Sequence, residues 1–219
     1  MKPSDLFFEL DATLARPLFE EAEYAWEALP KIGAFILAIG PSLPQDEYEE
    51  VSPGVWIHKS ARLYPNNIIE GPSIIGARTQ VRPGAFIRGG ALVGADCVVG
   101  NATELKNCIL FDHALAPHYN YVGDSVMGCY AHTGAGVIFS NYKSDHSLVM
   151  VRDGQRQIPT GLRKFGAILG DHVEVGCNSV LCPGCVILPY ATVYPLSRVR
   201  GVVKARHIYK AQGEVVERI

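Results

Sequence analysis

The chain has 219 residues, 48% of them apolar and 19% charged, with a formal net charge of −2. These values fit an ordinary globular chain of one or two domains, exclude a general attraction for nucleic acid, and come with no uninterrupted stretch of about twenty apolar residues to span a bilayer. Asp5 and Glu9 make the N-terminus unlike a basic, apolar secretory leader, so a cytoplasmic location without a membrane partner is expected.

Residues 1–50 read as a helical cap and linker. Pro17 suits a first helical turn, and Leu18, Ala22, Ala25, Trp26 and Leu29 can share one face. Pro30 opens a second helix whose Ile32, Phe35, Ile36 and Ile39 recur at helical spacing until Gly40-Pro41 ends it. This pair is expected to close the open end of a repeat structure, which would otherwise expose its core. Pro41 to Glu50, with two prolines and four acids, reads as the linker.

From residue 51 to about 205 the pattern changes. Ile57, Leu63, Ile69, Ile75, Val81, Ile87, Val93, Val99, Leu105 and Phe111 fall at an unbroken spacing of six, and Leu169, Val175, Leu181, Ile187, Val193 and Val199 resume it. Four residues after most of these stands a small side chain, as at Ala61, Ser73, Thr79, Ala85, Cys97, Ser179 and Cys185. A period of six fits neither a helix nor a strand pair. It marks an all-β solenoid in which each hexapeptide is a short strand and a turn, with roughly six coils in all. Cys97 and Cys185 occupy small inward positions, so the six cysteines are expected to be reduced packing residues. Cys182 and Cys185 form a lone C-x-x-C without a second pair.

The register breaks between Phe111 and Leu169, where Asp112–Val122 and Ser140–Gly166 read as irregular. Insertions in a solenoid gather on one face and carry function. The second, an insertion at about 140–166, holds Lys143, Arg152, Arg156, Arg163 and Lys164, a basic segment suited to an anionic ligand. Residues 206–219 read as a C-terminal hairpin, Ile208 to Ile219, turning at Gly213.

Three stretches, VRPGAFIRGGALVGADCVVGNATELKNC, HYNYVGDSVMG and TGAGVIFSNYK, resemble the acetyltransferase half of the bifunctional glucosamine-1-phosphate N-acetyltransferase and N-acetylglucosamine-1-phosphate uridylyltransferase family. TGLRKFGAILGDHVEVGCNSVL resembles its archaeal sugar-phosphate nucleotidylyltransferase/acetyltransferase branch. The resemblance implies a left-handed parallel β-helix, acetyl-CoA as acetyl donor and an amino sugar phosphate as acceptor. His118 matches the catalytic histidine, and an imidazole titrating near neutrality suits proton removal from an attacking amine. By the same resemblance Glu104 orients acceptor or histidine, Asn141 contacts the acceptor, and Arg82, Lys106 and Tyr121 hold its sugar-phosphate. Ala135 would stabilise an oxyanion through its backbone N–H, and Cys177 stands where the family has a serine near the cofactor. Arg198 and Arg200 are the first choice for the cofactor phosphates. The family often has asparagine where this chain has His132, and after Asn141 it reads Tyr142-Lys143-Ser144-Asp145-His146 in place of an Asp-Gly. Residues 1–50 contain Gly33 and Gly40 but no glycine-rich nucleotide loop, so no uridylyl transfer is expected.

A homotrimer is expected, because the resembling transferases place acetyl-CoA between neighbouring subunits. Two other readings stand beside this one. His113 and His118 form an H-x4-H that fits two metal ligands of γ-class carbonic anhydrases. A non-catalytic hexapeptide subunit serving a separate nucleotidylyltransferase would also carry this repeat.

Overall fold

The structure, a computed structural model, describes residues 1–211 and 213–217. From Val55 onward, short parallel strands stack in columns, each hydrogen-bonded to the strand one coil before and one coil after. The first face runs from Val55–His58 to Val202–Val203, the second from Arg62–Leu63 to His207–Ala211, and the third from Ile68–Glu70 to Arg198–Val199. The parallel solenoid expected from the six-residue register is therefore present. Its core is the inward column of each face, including Ile75, Val93, Val81, Val99, Ile87 and Leu105, with Ala85, Ala91 and Cys97 at the bends. Buried hydroxyls at the same positions are satisfied by backbone: Thr79 donates to the Gly94 carbonyl at 2.7 Å and Thr103 to that of Ala116 at 3.0 Å. All six cysteines are free. Burial pushes the thiols of Cys97 and Cys185 far up and that of Cys108 up to about 12, as expected of packing residues.

The expected register is corrected in one respect. After Leu105 the next inward residue is Leu110 rather than Phe111, and after Val122 it is Met127. One residue is missing from each of two consecutive corners. There the seven-residue strands Glu104–Leu110 and Tyr121–Met127 pass straight from the third face to the first. Asp112–Val122, expected to be irregular, is thus a regular coil whose phase has slipped. This coil carries the solenoid past the roughly six turns expected, with successive turns opening at Val55, Ser73, Ala91, Cys108, Ser125, Ala167, Cys185 and Gly201.

A second correction concerns the N-terminal segment. It holds α1 (Pro3–Leu6), α2 (Arg16–Glu20) and α3 (Ile32–Ile39), joined by 3₁₀ turns, one of which (Ala25–Lys31) contains Pro30. The expected second helix is present as α3, but the apolar face from Leu18 to Leu29 is split between α2 and that 3₁₀ turn. The segment does not close an end of the solenoid. It lies along the first face, because the middle residue of each first-face strand is apolar: Trp56, Ile74, Leu92, Ile109, Val126, Ile168 and Val186 form a second core with Leu6, Phe19, Trp26, Ile32 and Ile36. Phe111 belongs here, its ring 4.6 Å from Phe7 and 5.5 Å from Phe19. Asp171 ties the segment down by accepting the Phe8 N–H at 2.7 Å and the Cys129 N–H at 2.8 Å.

The linker beyond Pro41 ends in strand Tyr48–Ser52, antiparallel to Val55–His58, so the boundary expected at residue 50 falls inside a strand. The insertion at about 140–166 is present. It leaves and re-enters the coil where Phe165 donates its N–H to the Asn141 carbonyl at 2.9 Å, and it carries the hairpin Met150–Asp153 with Arg156–Pro159. The C-terminal hairpin pairs His207–Ala211 with Glu214–Glu217 around Gly213, whose φ of +87° suits glycine at the turn. Its expected end, Ile219, lies outside the described residues.

Candidate functional site

The third face is bounded by two corners, and the expected site residues divide between them. At the corner joining the second and third faces, Asn101, His118, Ala135, Cys177 and Pro195 form one column. The links are backbone hydrogen bonds from Tyr119 to Asn101 (2.9 Å), Gly136 to His118 (3.0 Å), Asn178 to Ala135 (2.8 Å) and Leu196 to Cys177 (2.9 Å). His118 ends the strand Leu115–His118 and is exposed. Asn120 fixes its turn, accepting the His118 N–H at 3.1 Å and donating to the Gly134 carbonyl at 2.8 Å. The His118 imidazole makes no hydrogen bond or ring contact among the described residues, so both nitrogens face solvent. Beside this column the second face ends in Gly100, Pro117, Gly134 and Gly176. A Cβ at Gly100 would stand 1.6 Å from the Pro117 carbonyl oxygen and one at Gly134 2.7 Å from the Cys177 nitrogen, so close rung packing requires the bare backbone. The Ala135 N–H has no partner among the described residues and is available as a donor.

At the corner joining the third and first faces stands a polar network. Asp124, 4% exposed, accepts from the Lys106 ammonium at 3.2 Å and from the Asn107 amide at 3.0 Å. The Asn141 amide donates to Asp124 and, at 3.1 Å, to the Tyr121 hydroxyl. The shortened corners create this contact. Asn107 and Asp124 both take left-handed backbone, φ +47° and +48°, at the positions where a residue is missing. Burial raises the Tyr121 phenol above its ordinary pKa, against the lowering effect of the Asn141 amide. The phenol therefore stays protonated at neutral pH. Its ring begins the third-face strand, and its hydroxyl reaches the Asn141 corner.

The structure thus brings Lys106, Tyr121 and Asn141 together, and sets His118 apart from them across the third face. Glu104, on the third face beside Tyr121, is paired with Arg88 at 2.7 Å and makes no bond to His118. Arg82 lies at the end of the second face, its guanidinium 3.3 Å from the Gln80 amide oxygen and away from Lys106. Arg88, one rung before Lys106 in the same column, is the arginine beside the network. Sequence reasoning passed over it, although the eighteen residues between Arg88 and Lys106 are one full coil. Arg198 points outward in the third-face row of Tyr121, Ile138 and Val180, whereas Arg200 lies at the next corner beside Lys143 and Arg152 of the insertion. His132 pairs with Glu174 at 2.7 Å on the second face.

His113 and His118 do not converge. They flank the strand Leu115–His118 at opposite ends, roughly 16 Å apart at the usual strand rise, and the His113 ring stacks on Tyr130 at 4.4 Å. No group of three or more His, Cys, Asp or Glu residues suited to a metal ion occurs among the described residues. No described helix is long and apolar enough to cross a membrane.

Residues 69–198 match the sequence profile of the family described as the GMPPB C-terminal domain. The chain is 34% identical over 113 residues to a bifunctional sugar-1-phosphate nucleotidylyltransferase/acetyltransferase of Sulfurisphaera tokodaii, a match covering 52% of this chain and 28% of that protein. It is 26% identical over 204 residues to the bifunctional protein GlmU of Marinobacter nauticus, covering 93% of this chain and 39% of the relative. The chain thus spans well under half the length of either. Among solved structures, AntD, an N-acyltransferase from Bacillus cereus in complex with dTDP and 3-hydroxybutyryl-CoA, aligns at 19% identity with a TM-score of 0.38, over 81% of this chain and 85% of that one.

Proposed function

The chain belongs to the GMPPB C-terminal domain family, and on that premise we propose that it transfers an acetyl group from acetyl-CoA to an amino sugar phosphate such as glucosamine-1-phosphate, or to a related nucleotide-sugar. The name of the Sulfurisphaera tokodaii relative, a sugar-1-phosphate nucleotidylyltransferase/acetyltransferase, supports acetyl transfer and the sugar-phosphate acceptor class. The observation that carries the reading is the column joining an exposed, unpartnered His118 to the free N–H of Ala135 one rung on. In this chemistry the acceptor amine attacks the thioester carbonyl, the C–N bond forming as the carbonyl π pair moves to oxygen, and the C–S bond breaks when that oxyanion collapses. His118 takes the amine proton and returns it to the departing thiolate, and the Ala135 N–H stabilises the oxyanion between these steps. Cys177 and Arg198 would border the donor. Tyr121, Lys106 and Asn141, with Arg88 added, would hold the acceptor, its phosphate displacing Asp124 as partner of the Lys106 ammonium.

A homotrimer suits this reading. The first face is covered by the chain's own helices, whereas Ile68, Ile138, Val180 and Leu196 are exposed on or beside the third, so a neighbouring subunit would wall the His118 column. Thiol release from acetyl-CoA, measured across a panel of amino sugar phosphates and nucleotide-sugars, tests the activity. Release with one acceptor class supports it, and none with any acceptor overturns it. A second reading, a non-catalytic subunit of a nucleotidylyltransferase, is favoured by the Lys106–Asp124 ion pair, which already occupies the expected phosphate ligand. The silent panel would select it.

A further inference from the structure

The notch between the insertion hairpin and the last coils is used by nothing described so far. It is a small space of about 70 Å³, walled by Lys143, Arg152 and Arg200 and floored by Cys182, Pro183 and Gly201. The three cations come from distant parts of the chain: the start of the insertion, its hairpin, and the corner after Val199. Neither guanidinium has an ion pair or hydrogen bond from its side chain among the described residues. The Lys143 ammonium is paired with Asp145 at 3.5 Å and also donates to Ser147.

The hairpin is held rigidly over the corner. Gly184 and Gly201 both have positive φ, and a Cβ would stand 2.8 Å from the Met150 carbonyl oxygen in one case and 2.6 Å from that of Arg152 in the other. Strand Met150–Asp153 therefore packs on bare backbone, which fixes Arg152 opposite Arg200. Two guanidiniums without a side-chain partner among the described residues, beside an ammonium paired with one exposed acid, leave net positive charge in the notch on a chain of net charge −2. Two guanidinium forks and an ammonium match the oxygens of a phosphoryl group.

We infer that this notch is a phosphoryl-anion subsite built by the insertion. It lies in the same corner column as Lys106, Asp124 and Asn141, two rungs beyond Asn141 through the backbone ladders of Ser140 to Leu181 and Cys182 to Val199, or roughly 10 Å. The His118–Ala135–Cys177 column stands at the opposite corner. The geometry therefore favours a distal phosphate of the acceptor over one from the acetyl donor. That attribution rests on the proposed transferase activity. The subsite itself does not.

The test has a binding arm and a kinetic arm, both on the full chain. Inorganic pyrophosphate is titrated calorimetrically into wild type, Arg152→Gln, Arg200→Gln and, as a charge control on the far hairpin strand, Arg156→Gln. The subsite requires about tenfold weaker binding in the first two variants and unchanged binding in the third. Equal affinity in all four proteins, or no binding to wild type, overturns it. In the kinetic arm, Arg152→Gln and Arg200→Gln should raise KM for a nucleotide-sugar acceptor about tenfold, leaving KM for acetyl-CoA unchanged. A rise confined to acetyl-CoA would overturn the acceptor attribution and assign the notch to the donor's phosphates. Pyrophosphate binding that responds to the variants in a protein that never turns over would reject the transferase reading while upholding the subsite.

Discussion

The first and third faces of the solenoid share one core and differ in what their strands present outward. On the first, the middle residues Trp56, Ile74, Leu92, Ile109, Val126, Ile168 and Val186 are apolar and lie under the chain's own N-terminal segment. On the third, the corresponding row runs Ile68, Phe86, Glu104, Tyr121, Ile138, Val180 and Arg198, mixed in character and uncovered by the chain itself. Inward residues recur alike on both faces and fix the coil. The outward residue of each rung decides whether a face becomes part of the molecule's interior or stays available for ligand and neighbour.

The sharpest way to break this comparison is to place the same charge on both faces. Ile109→Asp buries a carboxylate without a partner and should cost several kcal/mol, enough to unfold much of the chain in urea titrations at room temperature. Ile138→Asp, at a position 37% exposed, should leave the urea midpoint nearly unchanged and instead weaken self-association measured by light scattering. Equal losses of stability would mean that the two faces are not distinct.

Next in size is His118→Ala. A positioned base contributes about 10²–10⁴-fold in rate, so kcat should fall by that factor while the melting temperature holds, because the side chain is exposed and leaves no cavity. Near-normal turnover would remove His118 from the chemistry. A smaller effect is expected from Asp124→Ala, which leaves the quarter-exposed Lys106 ammonium unpaired and should lower stability by about 1.5–3 kcal/mol. Adding Lys106→Met should recover part of that loss and raise the acceptor KM, which Asp124→Ala alone should not raise. A purely additive double-mutant cycle would show that the pair is not coupled.

The smallest effect concerns the first face alone. Burial raises the folded pKa of Asp171 above 3.8, its value in an unstructured chain, so the native state keeps this proton where the unfolded state has lost it. The stability contributed by this group therefore falls as pH rises from about 3.8 through the folded value, and above that window it is a constant penalty. In Asp171→Asn this slope disappears, so the stability difference between variant and wild type should shift in the variant's favour across the window and then level off. Asp5, Asp96 and Asp145, whose pKa values their partners lower, keep their opposite slopes in both proteins. A parallel pH dependence would mean that Asp171 is not desolvated.

The solenoid was legible because its signal is repeated. Every inward position from Ile57 to Leu105 reports the same period, and the eye needs no tertiary information to see it. What failed was phase. A corner shortened by one residue moves Leu110 inward and sends Phe111 to the other core, and a fixed spacing of six cannot register that slip. The covered face was also written in the sequence, as apolar residues from Trp56 through Ile74 to Leu92 at one-coil spacing, but under a different period from the one being read. Lys106, Tyr121 and Asn141 stand together, whereas Arg82, which the resemblance grouped with Lys106 and Tyr121, lies at the end of the second face. Asp124, which organises them, stands inside the stretch HYNYVGDSVMG, but the resemblance assigns it no role, and Arg88 becomes visible as their neighbour only when eighteen residues are counted as a single rung.

The hydrogen bond between Phe165 and Asn141 closes the insertion at its neck at 2.9 Å, and beyond it Val149 and Val151 lie in the second core while strand Met150–Asp153 packs on Gly184 and Gly201. Loop closure depends only weakly on length. The hairpin tip at Gly154, where a Cβ would meet nothing within 4 Å, can therefore be lengthened or recharged without retuning the coils, while Asn141 stays on the fixed side of the seam. On this scaffold, a change of ligand preference need not be a change of fold. What the insertion presents can change at that tip while the His118 corner, on the other edge of the third face, is left untouched.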